Sequence, residues 1–201
     1  MADRFAPQSP ADIVALIADH PLAWVVSRDF QATPLPLMAE TSAEGEIVSL
    51  IGHFARRNPQ VAALLADPAA LILFQGPEGY ISPRFVSRPA WGPTWNYAVA
   101  RFEVTIEFVP DEFDVAIRHM AAHLEAGEQN PWVVDDMGPR YAELRRYIIG
   151  FRAHVRRAHA TFKLGQDEDP ATFAEITAAL GDTPLARLMR AQHRNAQRES
   201  R

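Results

Sequence analysis

Between Ile51 and Ala100 the chain concentrates side chains suited to a charged, flat ligand. Gly52-His53-Phe54-Ala55-Arg56-Arg57-Asn58-Pro59 sets two guanidinium groups beside a helix start, with Asn58 as the N-cap and Pro59 at the first helical position. Free backbone N–H groups and arginines in one place suit a phosphate. Phe74 to Pro83 and Pro93 to Val99 read as strand ends carrying Tyr80, Ser82, Thr94, Trp95, Asn96 and Tyr97. Together these offer a planar ring both a π-face and hydrogen-bond partners. The plainer reading is that the arginines are solvated loop charges and the aromatic run is core plus a turn. Residue types alone leave both readings open.

Other chemistries are not legible. Without cysteine there are no disulfides, thiolate nucleophiles, iron–sulfur clusters or cysteine zinc sites. No Gly-x-Gly-x-x-Gly, P-loop, Gly-x-Ser-x-Gly or His-Glu-x-x-His occurs. His119 and His123 have metal-ligand spacing, but no third ligand is in view and solvated or capping histidines are the expectation. Glu107, Asp111 and Glu112 show no paired-carboxylate pattern. With no acid, base or nucleophile in view, any reaction belongs to a cofactor.

These residues need a scaffold, and hydrophobic periodicity supplies one. Ser9-Pro10-Ala11-Asp12 opens a short helix that ends near His20-Pro21. Leu22 to Ser27 reads as a buried strand. Ala32 to Ala39 reads as a strand at a sheet edge or a bulge because Pro34 and Pro36 lack donors, and Glu46 to His53 as the third strand of an antiparallel meander. Pro59 to Leu65 is a short helix, Leu71 to Gln75 an interior strand, and Gly76-Pro77-Glu78-Gly79 a turn. Arg84 to Gly92 is a surface loop, and Thr94 to Val109 a long strand whose second half alternates cleanly. Asp111 opens a helix with the stripe Phe113, Ile117, Met120 and Leu124, closed by Gly127. An irregular stretch from Asn130 and a short helix over Arg140 to Tyr147 lead into a last strand. There Ile149, Phe151, Ala153 and Val155 alternate with Gly150, Arg152, His154 and Arg156. Two further helices, Pro170 to Leu180 and Pro184 to about Gln197, follow. The sum is six or so mostly antiparallel strands with helices at the crossings, an α+β, mainly β, barrel-like domain.

At 201 residues and 48% hydrophobic the chain supports one good core plus an appendage. No leader pattern or long apolar run points to secretion or membrane spanning, so a cytoplasmic protein without membrane contact is expected. Net charge is −5, against a surface built wholly to grip nucleic acid. Yet Leu185 to Arg201 carries five arginines and one glutamate. The Arg187, Arg190, Arg194, Arg198 helix is therefore the one basic feature that DNA could meet, though no helix-turn-helix is legible.

The ordered blocks Gly52–Pro59, Phe74–Pro83 and Pro93-Thr94-Trp95-Asn96-Tyr97-Ala98-Val99 resemble the PaiB-like family, the FMN-binding negative transcriptional regulators. The likeness runs from about Ile13 to Gln166. It implies an antiparallel six-stranded split β-barrel with flanking helices over residues 1–166 and a C-terminal helical extension over residues 167–201. It also implies a homodimer with FMN, or another phosphorylated planar ligand, at the interface. His53, Arg56 and Asn58 would lie by the phosphate and ribityl chain, Tyr80 and Ser82 along the adjoining strand, and Trp95, Asn96, Lys163 and Gln166 would close the pocket. The functions implied are a flavin-dependent oxidoreductase or redox-linked regulator, a transcriptional regulator, or a cofactor-free dimer. Where relatives commonly carry Ser-Trp-Tyr after Ile-Ser-Pro and Trp-Lys-Leu-Ser-Gln near the end, this chain has Arg84-Phe85-Val86 and Phe162-Lys163-Leu164-Gly165-Gln166.

Overall fold

The structure is a computed structural model; it describes residues 4–109 and 113–199, without the side chains of Phe113 and residues 195–199. Helix α1 (Pro10–Asp19) buries Leu16 and Ile17. Its start is held by Asp12, whose carboxylate accepts from the backbone N–H groups of Gln8 and Ser9 at 2.9 and 3.0 Å. Strands β1 (Leu22–Ser27) and β2 (Ala32–Pro36) then form an antiparallel hairpin.

Residues 32–39 do not make one strand. Leu37 is fully buried, and its N–H donates to Pro21 O at 2.9 Å. Past it the chain leaves β2 and enters β3 (Met38–Thr41), which pairs with β4 (Ile47–Ala55). The sheet order is β2-β1-β5-β6-β7-β4-β3, every neighbouring pair antiparallel, so β2 and β3 occupy opposite edges. The expected meander is thereby overturned, and the sheet has seven strands rather than six. Proline explains the break: Pro34 and Pro36 confine β2 to an edge, where no further strand can follow on the donor-poor side.

Strand β5 (Ala69–Ile81) runs straight through the expected turn at Gly76-Pro77-Glu78-Gly79. Those residues are a bulge, with the register against β6 (Thr94–Phe108) shifting between Gln75 and Glu78. A bulge leaves one residue unpaired, which suits Pro77 with no N–H to give. It also reverses which side chains face inward: Ile72 and Phe74 are buried before it, Ile81 after it. At Gly76 α1 comes close: a Cβ would stand 2.2 Å from Leu16 Cδ1, so that buried side chain would have to shift to admit one. Strand β7 (Ile148–Lys163) switches parity in the same way, burying Ile149, Phe151 and Ala153 before its bulge and Ala160 and Phe162 after it. Between them β6 keeps one phase throughout, with Ala98, Ala100, Phe102, Val104 and Ile106 inward.

Helices cover the sheet unevenly, with α3 (Phe113–Leu124) over the outward residues Ile51 and His53 of β4. Helix α1 packs on β3 and β5, α2 (Pro59–Ala66) on β1, and α3 on β4 and β7. Asp111, read as the opening of α3, lies outside the described residues, as do the Phe113 and Arg198 side chains. A 3-10 turn over Val134–Met137 and α4 (Pro139–Arg145) precede β7. Finally α5 (Pro170–Leu180) and α6 (Pro184–Glu199) place Phe173, Ile176, Leu185 and Met189 in the same core as the sheet. The outward face of β1, β5 and β6 is bare. Leu22, Trp24, Leu73, Tyr80 and Trp95 stand on it at 36% to 63% exposure. Among the described residues no helix is long and apolar enough to cross a membrane.

Candidate functional site

Two clusters hold the residues singled out above, and they lie at opposite ends of the central strands. The first is at the end of β4. Inward positions there are Leu50 and Phe54, so His53 points the other way, under α3. It borders a cavity of about 280 Å³ lined by Met38, Ile51, Ile117, Met120 and Trp132. Burial pushes the His53 pKa below its ordinary value, which keeps the imidazole neutral at pH 7. Arg56 and Arg57 follow on the exposed turn, and Arg56 is anchored only through its backbone N–H to Tyr147 O at 2.8 Å. Neither guanidinium has an ion-pair partner among the described residues. Asn58 is the N-cap of α2, accepting from Gln60 N at 2.9 Å and donating to Thr33 Oγ1 at 3.0 Å. Its polar atoms are thus committed to the fold.

Behind Asn58 stands a residue that sequence reasoning missed. Gln60 is fully buried; its amide donates to Val25 O at 2.9 Å and Gln31 O at 3.0 Å and accepts from Thr33 Oγ1 at 2.6 Å. This knot ties α2 to the first hairpin and fixes the turn bearing the two arginines.

The second cluster is where β5, β6 and β7 meet at the start of β6. Register sets Tyr80 against Trp95, whose rings meet edge-on at 6.1 Å and 60°. Tyr97 pairs with Lys163, whose ammonium donates to Thr94 Oγ1. Both rings face solvent on the bare sheet face, which also forms a hollow of about 420 Å³ by Trp24, Gln75, Arg101 and Thr161. Three expected members face elsewhere or are engaged. Asn96 points into the core, its amide 3.7 Å from Met189 Sδ. Ser82 accepts from Arg84 N at 3.2 Å, starting a 3-10 turn. Gln166 accepts from Leu164 N at 2.7 Å and donates to Phe162 O.

Tyr80, Trp95 and Lys163 are therefore brought together, and His53 is brought near Arg56, but not the two groups to each other. His53 pairs with Gly150, and Gly150 O accepts from Val109 N. From Trp95 to that point is on the order of 45 Å of strand path at ~3.3 Å per residue. Trp132 and Trp24 were also missed as site candidates. Trp132 follows Asn130-Pro131 in a patternless segment, and Trp24 sits in a strand whose alternation alone reads as core.

The first cluster can hold a flat, largely apolar group against neutral His53 and Trp132; Glu125 is the charged residue on the cavity lining, while Arg56 and Arg57 follow His53 on the adjoining turn without lining the cavity. A flavin mononucleotide has a planar ring system for the cavity and a phosphate for the turn. The donor set therefore fits the group.

Comparison with known proteins bears on this directly. Residues 1–157 match the family described as "Putative FMN-binding domain". The protease synthase and sporulation protein PAI 2 of Bacillus subtilis (strain 168) is 32% identical over 151 residues, covering 74% of this chain and 72% of that protein. An uncharacterized protein of Emericella nidulans is 29% identical over 170 residues, covering 67% of each. Among solved structures, the flavocytochrome Anf3 from Azotobacter vinelandii superposes with a TM-score of 0.60 at 17% identity, over 84% of this chain and 73% of that one. The FAD and heme binding protein from Mycobacterium smegmatis gives 0.58 at 17% identity, over 87% and 80%. These two likenesses concern the fold. By its match over most of its length and its identity to PAI 2, the chain belongs to the PaiB-like family of FMN-binding domains.

Proposed function

We propose that the protein is a cytoplasmic, homodimeric FMN-binding split barrel that serves as a flavin-dependent oxidoreductase or a redox-linked regulator. The observation that carries this reading is the His53 cavity, apolar and Trp132-walled, on a strand that runs directly into the turn bearing Arg56 and Arg57, in a chain of this family. In this reading Arg56 and Arg57 hold the phosphate. Met38, Ile51 and Trp132 exclude water from the ring, and His53, kept neutral, offers it one hydrogen bond. Bound FMN supplies hydride or electron transfer. A second copy docks on the bare sheet face and brings its Tyr80, Trp95 and Lys163 to the rim of the site, which reconciles two clusters that one protomer keeps apart. Residues 167–201 are an extension added to the family domain of residues 1–166.

The reading as a DNA-contacting regulator draws less support, because Arg187 and Arg190 already bond Asp182 and the carbonyls of Thr177 and Gly181. A phosphorylated planar ligand other than FMN fits the same cations.

The test is the visible spectrum of freshly purified protein, followed by titration with FMN. A flavin spectrum or saturable uptake is expected. Arg56→Ala should weaken FMN about 10- to 100-fold, the loss of one charge-assisted contact. A colourless protein that takes up no added FMN, or an Arg56→Ala variant that binds as before, would sink the assignment.

A further inference from the structure

Helices α1 and α6 do not close on each other. Between them runs a groove of about 440 Å³, floored by Pro77 and Phe162 and walled by Leu16 and Leu188. That volume lies within the range of pockets that take small organic molecules. At its inner end stands Gln192, only 5% exposed, on the lining of the groove. Its side-chain amide has no hydrogen-bond partner among the described residues, although a primary amide has two donors and an acceptor to satisfy. Alongside it, Gln8 donates its amide N–H to Gln192 O at 2.7 Å, while its own Oε1 is buried with no partner. Gln8 itself is not on the groove lining, so Gln192 is the residue that presents an unpartnered amide to this apolar groove.

We propose that this groove is a second binding site, for a small neutral molecule carrying a primary carboxamide on an apolar body. A carboxamide is the complement of what is unpaired. Its oxygen accepts from Gln192 Nε2, and one of its N–H groups donates to Gln192 Oε1. Charged ligands fit less well. A carboxylate would face Asp12 and Asp19 on the groove wall, while the one cation there, Arg187, is held by Asp182 at 3.1 Å. An ammonium offers no acceptor oxygen to Gln192 Nε2. The apolar body would lie along Leu16, Leu188 and Phe162. This site owes nothing to the flavin and lies partly on α6, beyond the matched family domain.

Phenylacetamide, N,N-dimethylphenylacetamide and phenylacetate, titrated calorimetrically into the full chain with and without FMN, test it. Saturable binding of phenylacetamide is expected, with the dimethyl amide and the carboxylate each weaker by about tenfold or more, since each removes or opposes a buried hydrogen bond. Gln192→Leu should erase the preference for the primary amide. Ala191→Phe, which fills the groove from its half-buried wall without touching the core, should abolish binding while leaving the fold's circular dichroism unchanged. Equal affinity for all three probes, no binding of phenylacetamide, or full binding in Ala191→Phe would overturn the proposal.

Discussion

Burial holds the His53 imidazole below the ordinary histidine range, and that has a sign. In the unfolded chain His53 takes up a proton as pH falls through about 6.5, whereas in the fold it resists. The unfolded state then binds more protons, so stability is complete above that value and is lost as pH drops below it. Carboxylates act lower on the scale. Burial opposes the Glu40 charge, but hydrogen bonds from Arg152 and Ser49 outweigh it and lower its pKa. The interval from about pH 7.5 to about pH 5 therefore separates the His53 contribution from that of the carboxylates. His53→Leu should flatten the dependence of the urea midpoint on pH across that interval; a wild-type slope in the variant would place the titration elsewhere. At this scale the sequence was informative where a residue acts through its neighbours in the chain. Asn58 caps α2 as Asn-Pro foretells. Gln60, two residues on, was invisible because its partners Val25, Gln31 and Thr33 come from a distant hairpin. The inward turn of Asn96 was equally hidden, since alternation says that neighbours oppose each other but not which is buried.

Elements were legible wherever one period ran unbroken. Strand β6 holds a single phase over its whole length, and α5 and α6 fall within a few residues of their expected bounds. Breaks in phase were not legible. Gly76-Pro77-Glu78-Gly79 has the composition of a turn, and only the presence of α1 and β6 on either side makes it a bulge. The split at Leu37 likewise depends on a core that receives its side chain. The basic face of α6 illustrates the converse, a pattern read rightly as helix whose charges serve locally. Arg190 donates to Thr177 O at 2.6 Å and to Gly181 O at 2.9 Å, capping the negative end of α5. Arg190→Ala should thus cost about 1 kcal/mol of stability by loss of these bonds. Calorimetric unfolding measures it, and an unchanged midpoint would mean that the arginine is free for an outside partner.

At the scale of the molecule, the decisive feature is a sheet whose outward face is covered by α3 over β4 but left with bare aromatic residues over β1, β5 and β6. Trp24 and Leu73 face each other across β1 and β5 at the middle of that bare surface, each more than a third exposed. Scattered exposed apolar residues mean little, but a contiguous aromatic patch marks an interaction surface. If a second copy covers it, charge placed at Trp24 must be buried uncompensated in the dimer and solvated in the monomer, a difference that lies with association alone. Trp24→Glu should shift sedimentation from dimer to monomer while leaving the circular dichroism of the fold in place. In the proposed dimer Tyr80, Trp95 and Lys163 reach the His53 cavity from the other protomer, so flavin uptake should fall with it. Arg56→Ala separates the two effects, since it should lower flavin affinity in a protein that still sediments as a dimer. A monomeric Trp24→Glu protein that binds FMN at full strength would show that each protomer holds its flavin unaided, and a Trp24→Glu protein that stays dimeric would move the interface off this face.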